Sequence, residues 1–415
     1  MARSLQIGDH QTCGLCFEVE SVSNMKSKSA VLAALCCLVG CQNASSVKEV
    51  SEDPEYIVSA YIWPSCHDDA LANRELWDKG EGEWEIIRRA QPQFEGQYQP
   101  KVPLWGYEMD DDPKVMERWI DLASSHGVNT FAFDWYWFDH QSFLESCLDE
   151  GFLKAENSMK MHFYVMWANH SVPRNYWNAY RHGDDDSQLW DGAVGWDDFK
   201  NIVDRLIGYF KEPNYLKLDG KPLFTLYQLK NFVNGFGSME EAAKAMDYLR
   251  DKVREAGFPG LHLQLVTQGD PKPFTLEGVR ALGVNSVTFY NWEYPFPDDY
   301  ILWGENYWKR VEKWNEALDV PFFANASINF DDSPRYPNGD YHGALKYNVT
   351  PEAFAGFLQR AKDYANSRPD QPKMITIYAF NEWVEAAYLL PDIRNGFSYI
   401  DAVKDVMVDG KYGKK

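Results

Sequence analysis

Eight short apolar runs punctuate the chain from residue 56 onward, and most lead into a stretch with helical character. The runs are Tyr56–Ile62, Val128–Trp135, Met161–Ala168, Leu223–Tyr227, Leu261–Thr267, Val284–Tyr290, Pro321–Ala326 and Ile375–Phe380. Between them lie amphipathic segments over Pro113–His126, Asp197–Phe210, Met239–Ala256, Glu305–Leu318 and Pro351–Ala365. A strand that is apolar at nearly every position is buried on both faces, the condition of a parallel sheet covered by its crossover helices. Asp112-Pro113 and Thr350-Pro351 each read as a helix start, a capping side chain followed by proline at the first helical position. Eight such units over about 350 residues predict an α/β fold, a (β/α)8 TIM barrel with long loops at its C-terminal face. A doubly wound sheet is the competing arrangement, but no Gly-rich phosphate turn follows the first strand. The insertion from Trp63 to Asp112 is too long for an ordinary connection and is expected to cover the barrel mouth.

Upstream of the first strand the chain changes character. Met25-Lys26-Ser27-Lys28 is a basic start, Ala30 to Val39 is apolar, and Leu38-Val39-Gly40-Cys41 closes the segment. This is a signal-peptide pattern, too short to remain as a membrane-spanning helix. Its last four residues resemble a bacterial lipobox, in which the cysteine is lipidated and becomes the mature N-terminus. The expected organisation is an upstream extension over residues 1–24 from a misplaced start codon, a lipoprotein signal peptide over 25–41, a polar linker over 42–54 and one catalytic domain over 55–415. Cys41 is then the lipidation site, and the expected location is the bacterial cell envelope, through a lipid anchor in the membrane. Past Cys41 only Cys66 and Cys147 remain, so no disulfide framework is expected. Cys13-Gly14-Leu15-Cys16 has the spacing of half a zinc site, but no second half follows it, and neither metal nor cofactor is expected.

Composition narrows the function. The formal net charge of −21 disfavours nucleic acid and strongly anionic partners, which select basic surfaces. The chain carries 16 Trp, 24 Tyr and 24 Phe, more indole than core packing requires, because a buried indole N–H needs a partner. Flat apolar faces with a polar tip suit sugar rings. In a barrel, chemistry lies at the C-terminal ends of the strands, and here those ends collect polar and aromatic residues together. The first ends in Trp63, with His67 beyond it. The second gives Asp134, Trp135, Tyr136 and Trp137, and the third Trp167, Asn169 and His170. The fourth ends at Tyr227, the fifth at Gln268, and the sixth at Tyr290 and Trp292. The seventh leads to Asp332 and Arg335, and the eighth delivers Asn381, Glu382, Trp383 and Glu385. Stability alone does not account for eight such ends, whereas a sugar-binding cleft does. The acidic runs Asp110–Asp112 and Asp184–Asp186 read as a helix cap and a solvated turn.

Glu382 and Glu385 are the candidate catalytic pair. Glu-x-x-Glu is common on solvated helices, and acids at a helix start are favoured by its dipole, so the spacing does not single them out. Their position does, directly after a buried strand and on either side of Trp383. On one helical turn, residues three apart have Cβ atoms roughly 5–6 Å from each other. Ordinary retaining glycosidases hold two carboxyl groups about 5–5.5 Å apart on opposite sides of the scissile bond. Two acids on one turn approach that separation without straddling a sugar ring, which points to carbohydrate chemistry of another kind.

From about Tyr56 to Asp392 the chain resembles the WbsX-type proteins, which are similar to glycoside hydrolase family 99, the endo-α-mannosidases. The resemblance is carried, in order, by EGEWE (Glu81–Glu85, with Glu83 and Trp84), AQPQFEGQYQPKVPL (Ala90–Leu104), FDWYWF, MWANH, NFDDSPR and AFNEWVEAAYLLPD. It implies a (β/α)8 barrel acting on glycosides with retention of configuration and without a carboxylate nucleophile. One glutamate deprotonates the sugar 2-hydroxyl, which attacks C1 to give an epoxide; the other serves as general acid and then base. Carried over, Glu382 is the 2-hydroxyl base and Glu385 the acid/base. Glu385 is then expected to hold a proton near neutral pH, and Arg335 is expected to help keep Glu382 ionised. The chain departs from the family pattern at His170, where the family has Glu, at Ala386, where it has Gly, and at Leu390, where it has Glu. These departures leave the pair intact and bear on which sugar is read.

The expected function is hydrolysis of an α-linked, mannose-like polysaccharide or glycan by a monomer. Two alternatives stay open at this point. One is a glycosyltransferase or transglycosylase on the same scaffold; the other is a carbohydrate-binding lipoprotein without catalysis, against which the intact glutamate pair counts.

Overall fold

The structure, a computed structural model, describes residues 54–337 and 339–412. The expected extension, the signal peptide with Cys41 and the linker up to residue 53 lie outside the described residues. Eight parallel strands form the centre: β1 (Ile57–Ile62), β2 (Thr130–Phe138), β3 (His162–Trp167), β4 (Lys221–Leu226), β5 (His262–Val266), β6 (Ser286–Thr288), β7 (Phe322–Ser327) and β8 (Met374–Tyr378). Each pairs with the next. Ile57 pairs with Met374 and Ala60 with Ile377, so β8 returns to β1 and the sheet closes. The chain is a (β/α)8 barrel, as the eight runs predict. Every residue of β1, β2, β7 and β8 is buried, which is why their sequences carry no polar face to water.

The helical layer comprises α1 (Pro113–Ser125), α2 (Trp196–Phe210), α3 (Leu229–Phe236), α4 (Met239–Glu255), α5 (Pro273–Ala281), α6 (Tyr300–Ala317), α7 (Pro351–Asn366) and α8 (Ser398–Met407). The two sequence-read caps are in place: the Asp112 side chain accepts from Lys114 N and the Thr350 side chain from Ala353 N. The helix expected from Glu305 begins earlier, at Tyr300, because Asp299 caps it through Leu302 N. Helices α3, α5 and α8, of eight to ten residues, are not among the segments read from the sequence. Among the described residues no helix is long and apolar enough to cross a membrane.

Strand pleating assigns neighbouring residues to opposite sides of the barrel wall. Inside, polar side chains bond one another: Ser59 with Tyr164 at 3.2 Å, Thr225 with Gln264 at 2.9 Å and Asn325 with Thr376 at 3.0 Å. Outside, aromatic rings meet the helices, as where Trp167 packs on Phe199 of α2 and Phe232 of α3. The insertion between β1 and α1 lies over the loops that follow β7 and β8. Gln97 Nε2 donates to Asp331 Oδ2 at 3.0 Å, Gln93 Nε2 to Tyr336 O at 2.8 Å, and Leu104 N to Pro391 O at 2.9 Å. It therefore borders the barrel mouth without covering it: past Trp63 none of its residues lines the cleft there.

Candidate active site

A cleft of about 280 Å³ opens at the C-terminal ends of the strands. It brings together Trp63 after β1, Asp134 and Tyr136 of β2, His170 after β3, Tyr227 after β4 and Tyr290 after β6. Asp332 and Arg335 reach it from the loop after β7, and Glu382 and Glu385 from the segment after β8. The two glutamates are not at the start of an α-helix but at a single 3-10 turn. Asn381–Glu382 pairs antiparallel with Ala387–Tyr388, and Trp383–Glu385 makes one tight turn between them. The hairpin closes through Ala386 at φ 58°, ψ 16°, a left-handed conformation that costs a Cβ-bearing residue and favours glycine. Asn381 anchors its base, accepting from Trp63 N at 2.9 Å and donating to Trp63 O at 2.8 Å.

Glu382 faces Asp134 across a phenol. The Tyr290 hydroxyl oxygen lies 2.7 Å from Asp134 Oδ2 and 2.7 Å from Glu382 Oε2. A phenol has one hydrogen to donate, so when both contacts are hydrogen bonds one of the two acids carries a proton and donates it to the phenol oxygen. The electrostatics agree. Burial first, then the charges of Glu385 and Asp134, push the Glu382 carboxyl well above the usual range, against Arg335 and the Tyr290 hydrogen bond. Burial likewise pushes Asp134 well up, with the Tyr290 hydrogen bond opposing. Asp134 Oδ1 is buried without a protein partner among the described residues, which a charged carboxylate tolerates poorly.

Arg335 makes its direct contact with Glu385 and acts on Glu382 through its charge, which opposes the rise of the Glu382 pKa as expected. Its Nη1 donates to Glu385 Oε1 at 2.5 Å, and Tyr378 OH donates to Glu385 Oε2. On its other side Arg335 Nε lies 3.5 Å from Glu83 Oε1. Glu83 is fully buried and outside the cleft; its Oε2 accepts from Trp63 Nε1 at 2.5 Å and Ser65 Oγ at 3.0 Å. Glu83 thus holds an indole that lines the cleft and an arginine that meets Glu385. Burial raises the Glu83 pKa, with Arg335 opposing.

His170 lines the cleft at the position where the resembled family has Glu. Its ring lies 5.6–5.7 Å from those of Tyr136, Trp177 and Tyr227, and burial lowers its pKa to about 4. The imidazole is therefore neutral at pH 7, able to donate from one nitrogen and accept at the other.

Several expected residues lie elsewhere, three of them because of pleating. Trp135, Trp137 and Trp167 point out of the barrel wall. Trp135 Nε1 donates to Glu145 at 2.7 Å and Trp137 Nε1 to Asp198 at 3.0 Å. Asn169 ties loops together, accepting from Gln228 N and donating to Gln228 O. Trp292 is buried, its Nε1 donating to Asn325 O at 3.0 Å. Trp383 stacks on Tyr388, 3.9 Å between centroids, inside the hairpin. Trp84 packs against Trp383 from the insertion. Gln268 is exposed and outside the cleft. His67 is buried on Asp110, Nδ1 to Oδ1 2.6 Å; burial lowers its pKa, but the Asp110 charge and hydrogen bond outweigh this and raise it. Asp110 is accordingly no part of the α1 cap, unlike Asp112. The sequence reading missed Tyr176 and Trp177, which reach the cleft from a single helical turn, Arg174–Trp177, after β3, and Phe296, Phe330 and His342 from the long loops around it. The density of aromatics from Trp167 to Trp177 was the available signal for the first two. Among the described residues no cluster of three or more His, Cys, Asp or Glu is placed to hold a metal ion.

Residues 58–403 match the model of the family described as Glycosyltransferase WbsX. The chain belongs to the WbsX family. Its fold is similar to that of the GH99 endo-α-mannosidase of Bacteroides thetaiotaomicron, solved with bis-tris propane, at TM-score 0.54 and 14% identity over 85% of this chain and 96% of that one. A solved glycoside hydrolase-like protein is similar at TM-score 0.54 and 15% identity, covering 87% of this chain and 96% of that one. At these identities the likeness shows the fold. The uncharacterized protein WxcX of Xanthomonas campestris pv. campestris is 27% identical over 373 residues, 85% of this WbsX-family chain and 50% of WxcX. The chain thus spans about half the length of the curated relatives it matches.

Proposed function

We propose that this WbsX-family protein is a glycoside hydrolase that cleaves an α-linked, mannose-like glycan with retention, the sugar's own 2-hydroxyl acting as nucleophile. The observation that carries the reading is the hairpin after β8. It presents Glu382 and Glu385 from one turn into a cleft walled by Trp63, Tyr136, Trp177, Tyr227 and Tyr290. Two acids on one turn serve one side of a ring, which suits an intramolecular attack by a neighbouring hydroxyl better than an acid and a nucleophile that flank the bond. In this reading Glu382 takes the proton of the 2-hydroxyl while Asp134 keeps the resting proton through Tyr290. Glu385 protonates the leaving oxygen and later deprotonates water, and the rings stack on the sugar faces.

One observation favours the exchanged assignment: the Arg335 guanidinium contacts Glu385, whereas burial raises the Glu382 pKa. Glu382, the acid with the raised pKa, would then be the proton donor. Paired substitutions separate the two. If Glu385 is the acid, Glu385→Gln lowers turnover of glycosides with poor leaving groups by roughly 10²–10⁴-fold, the scale of lost acid–base catalysis, and spares cleavage of activated aryl glycosides. Glu382→Gln then impairs both substrate types; the reverse pattern exchanges the roles. A 2-deoxy glycoside is expected to be inert, and its brisk hydrolysis would refute participation by the 2-hydroxyl. The family description favours a second reading, transfer to an acceptor sugar. A glycan screen with and without nucleotide sugars separates hydrolysis, transfer and simple binding. We also propose lipid anchoring at Cys41; Cys41→Ala is expected to shift the protein out of the membrane fraction, and unchanged partition would end that idea.

A further inference from the structure

A second cavity, of about 290 Å³, lies on the same face of the barrel, behind the loop that carries Asp331. One chain thickness separates the two: Glu385 lines the first and Ala386 the second, and Asp331 N donates to Glu385 O at 2.9 Å. Lys101 lines the second cavity at 4% exposure. Its ammonium donates to Tyr98 O at 2.5 Å and lies 4.8 Å from the Tyr98 ring centre. Among the described residues it forms no ion pair; burial lowers its pKa, and two carboxylates, Asp331 and Asp392, oppose this through space. Both are satisfied by neutral donors instead. Asp331 accepts from Gln97 and Gln99 Nε2 and from Ser333 N. Asp392 accepts from Tyr388 OH, Asn395 Nδ2 and the Arg394 and Asn395 backbone N–H groups. The Arg394 guanidinium lies 5.0 Å from the same Tyr98 ring and, among the described residues, also lacks an ion pair. A buried ammonium with N–H groups to spare and no counter-charge in contact is costly unless a ligand supplies one.

We propose that this cavity is a second saccharide subsite, which takes a sugar bearing one anionic group, a carboxylate or a sulfate ester, on Lys101 and Arg394. The saccharide part rests on the glycan reading of the first cleft; the anion part rests on the two unpaired cations. The lining also holds the exposed carboxylate of Glu95 and Lys346, which is paired with Asp298; the amides of Asn329 and Asn348 and the hydroxyl of Thr350 suit sugar hydroxyls, since each can donate and accept. Tyr399 also lines the cavity, and the Tyr98 ring carries the two cations. The net charge of −21 repels a polyanion, but at physiological ionic strength that field is screened beyond about 8 Å. A single acidic group in contact with two cations is read locally.

Calorimetric titration of the full chain with glucuronate, glucose and inorganic sulfate tests this without turnover, so the outcome is independent of the roles of Glu382 and Glu385. Glucuronate is expected to bind at least about tenfold more tightly than glucose, and Lys101→Met to weaken glucuronate by about tenfold or more, the scale of a lost charge-assisted hydrogen bond, with glucose unaffected. Arg394→Gln, at an exposed position, carries the same expectation if Lys101→Met does not fold. Equal affinity for glucuronate and glucose would overturn the proposal, as would glucuronate binding untouched by either substitution. Sulfate bound as tightly as glucuronate would reduce the cavity to a plain anion site and overturn the saccharide assignment.

Discussion

Two substitutions around one phenol are expected to move the same pH limb in opposite directions. Glu382 must be ionised to take a proton from the 2-hydroxyl, so kcat/KM rises with pH through the Glu382 pKa, which burial, Glu385 and Asp134 have raised. Tyr290 opposes that rise by donating to Glu382 Oε2 at 2.7 Å. A hydrogen bond to a charged acceptor contributes about 1.5–3 kcal/mol, and one pKa unit is about 1.4 kcal/mol. Tyr290→Phe therefore shifts the rising limb to higher pH by about 1–2 units. Asp134 acts the other way. The two legs of 2.7 Å put its Oδ2 no more than 5.4 Å (2.7 + 2.7) from Glu382 Oε2. Two full charges at about 5 Å repel by about 3 kcal/mol at an effective dielectric of 20, and a proton resident on Asp134 lessens this. Asp134→Asn then lowers the limb by up to about 2 units, while its amide still reaches the phenol. These acids titrate as a set, so the profiles report apparent values for the group. The assay is kcat/KM against pH on an activated aryl glycoside for the wild type and both variants. Shifts in the same direction, or no shift in either, would refute the reasoning.

Three further outcomes are expected. The His170 pKa is lowered from 6.5 to about 4, so between those values the unfolded chain binds a proton that the folded chain does not. Stability is then lost as pH falls through that window; wild type should lose Tm relative to His170→Gln from pH 6.5 to 4, and a pH-independent difference would contradict this. Ala386→Gly relieves a left-handed residue at φ 58°; about 1–2 kcal/mol of strain less about 0.5–1 kcal/mol for glycine's added freedom predicts a modest gain in thermal stability, and a lower Tm would show the strain argument to be wrong. Glu83→Ala strips a buried acceptor from Trp63, Ser65 and Arg335; urea unfolding is expected to show a loss of about 3–5 kcal/mol, the scale for breaking a buried ion pair, and a loss under about 1 kcal/mol would mean Arg335 is satisfied by Glu385 alone.

The barrel was legible in the sequence because burial on both faces of a strand leaves a local mark, an unbroken apolar run, and because a capping residue such as Asp112 or Thr350 acts within its own first turn. The pair Glu382 and Glu385 was legible for a related reason: acids directly after a buried strand have few structural uses. Which neighbours share the cleft was decided only by the closed barrel. Asp134 and Tyr136 face in while Trp135 and Trp137 face the helices; alternation says that they differ, but the phase is set when β8 pairs with β1. The charge pattern lay further out of reach. Arg335 meets Glu385 and not Glu382 because the loop after β7 hands Asp331 N to Glu385 O, and Lys101 comes to lack a counter-charge because amides 230 residues and more from Asp331 in sequence reach it first. Strand and helix signals arise from residues two to four positions apart, whereas these contacts join residues up to 318 apart, as between Trp63 and Asn381, and exist only once the barrel has closed.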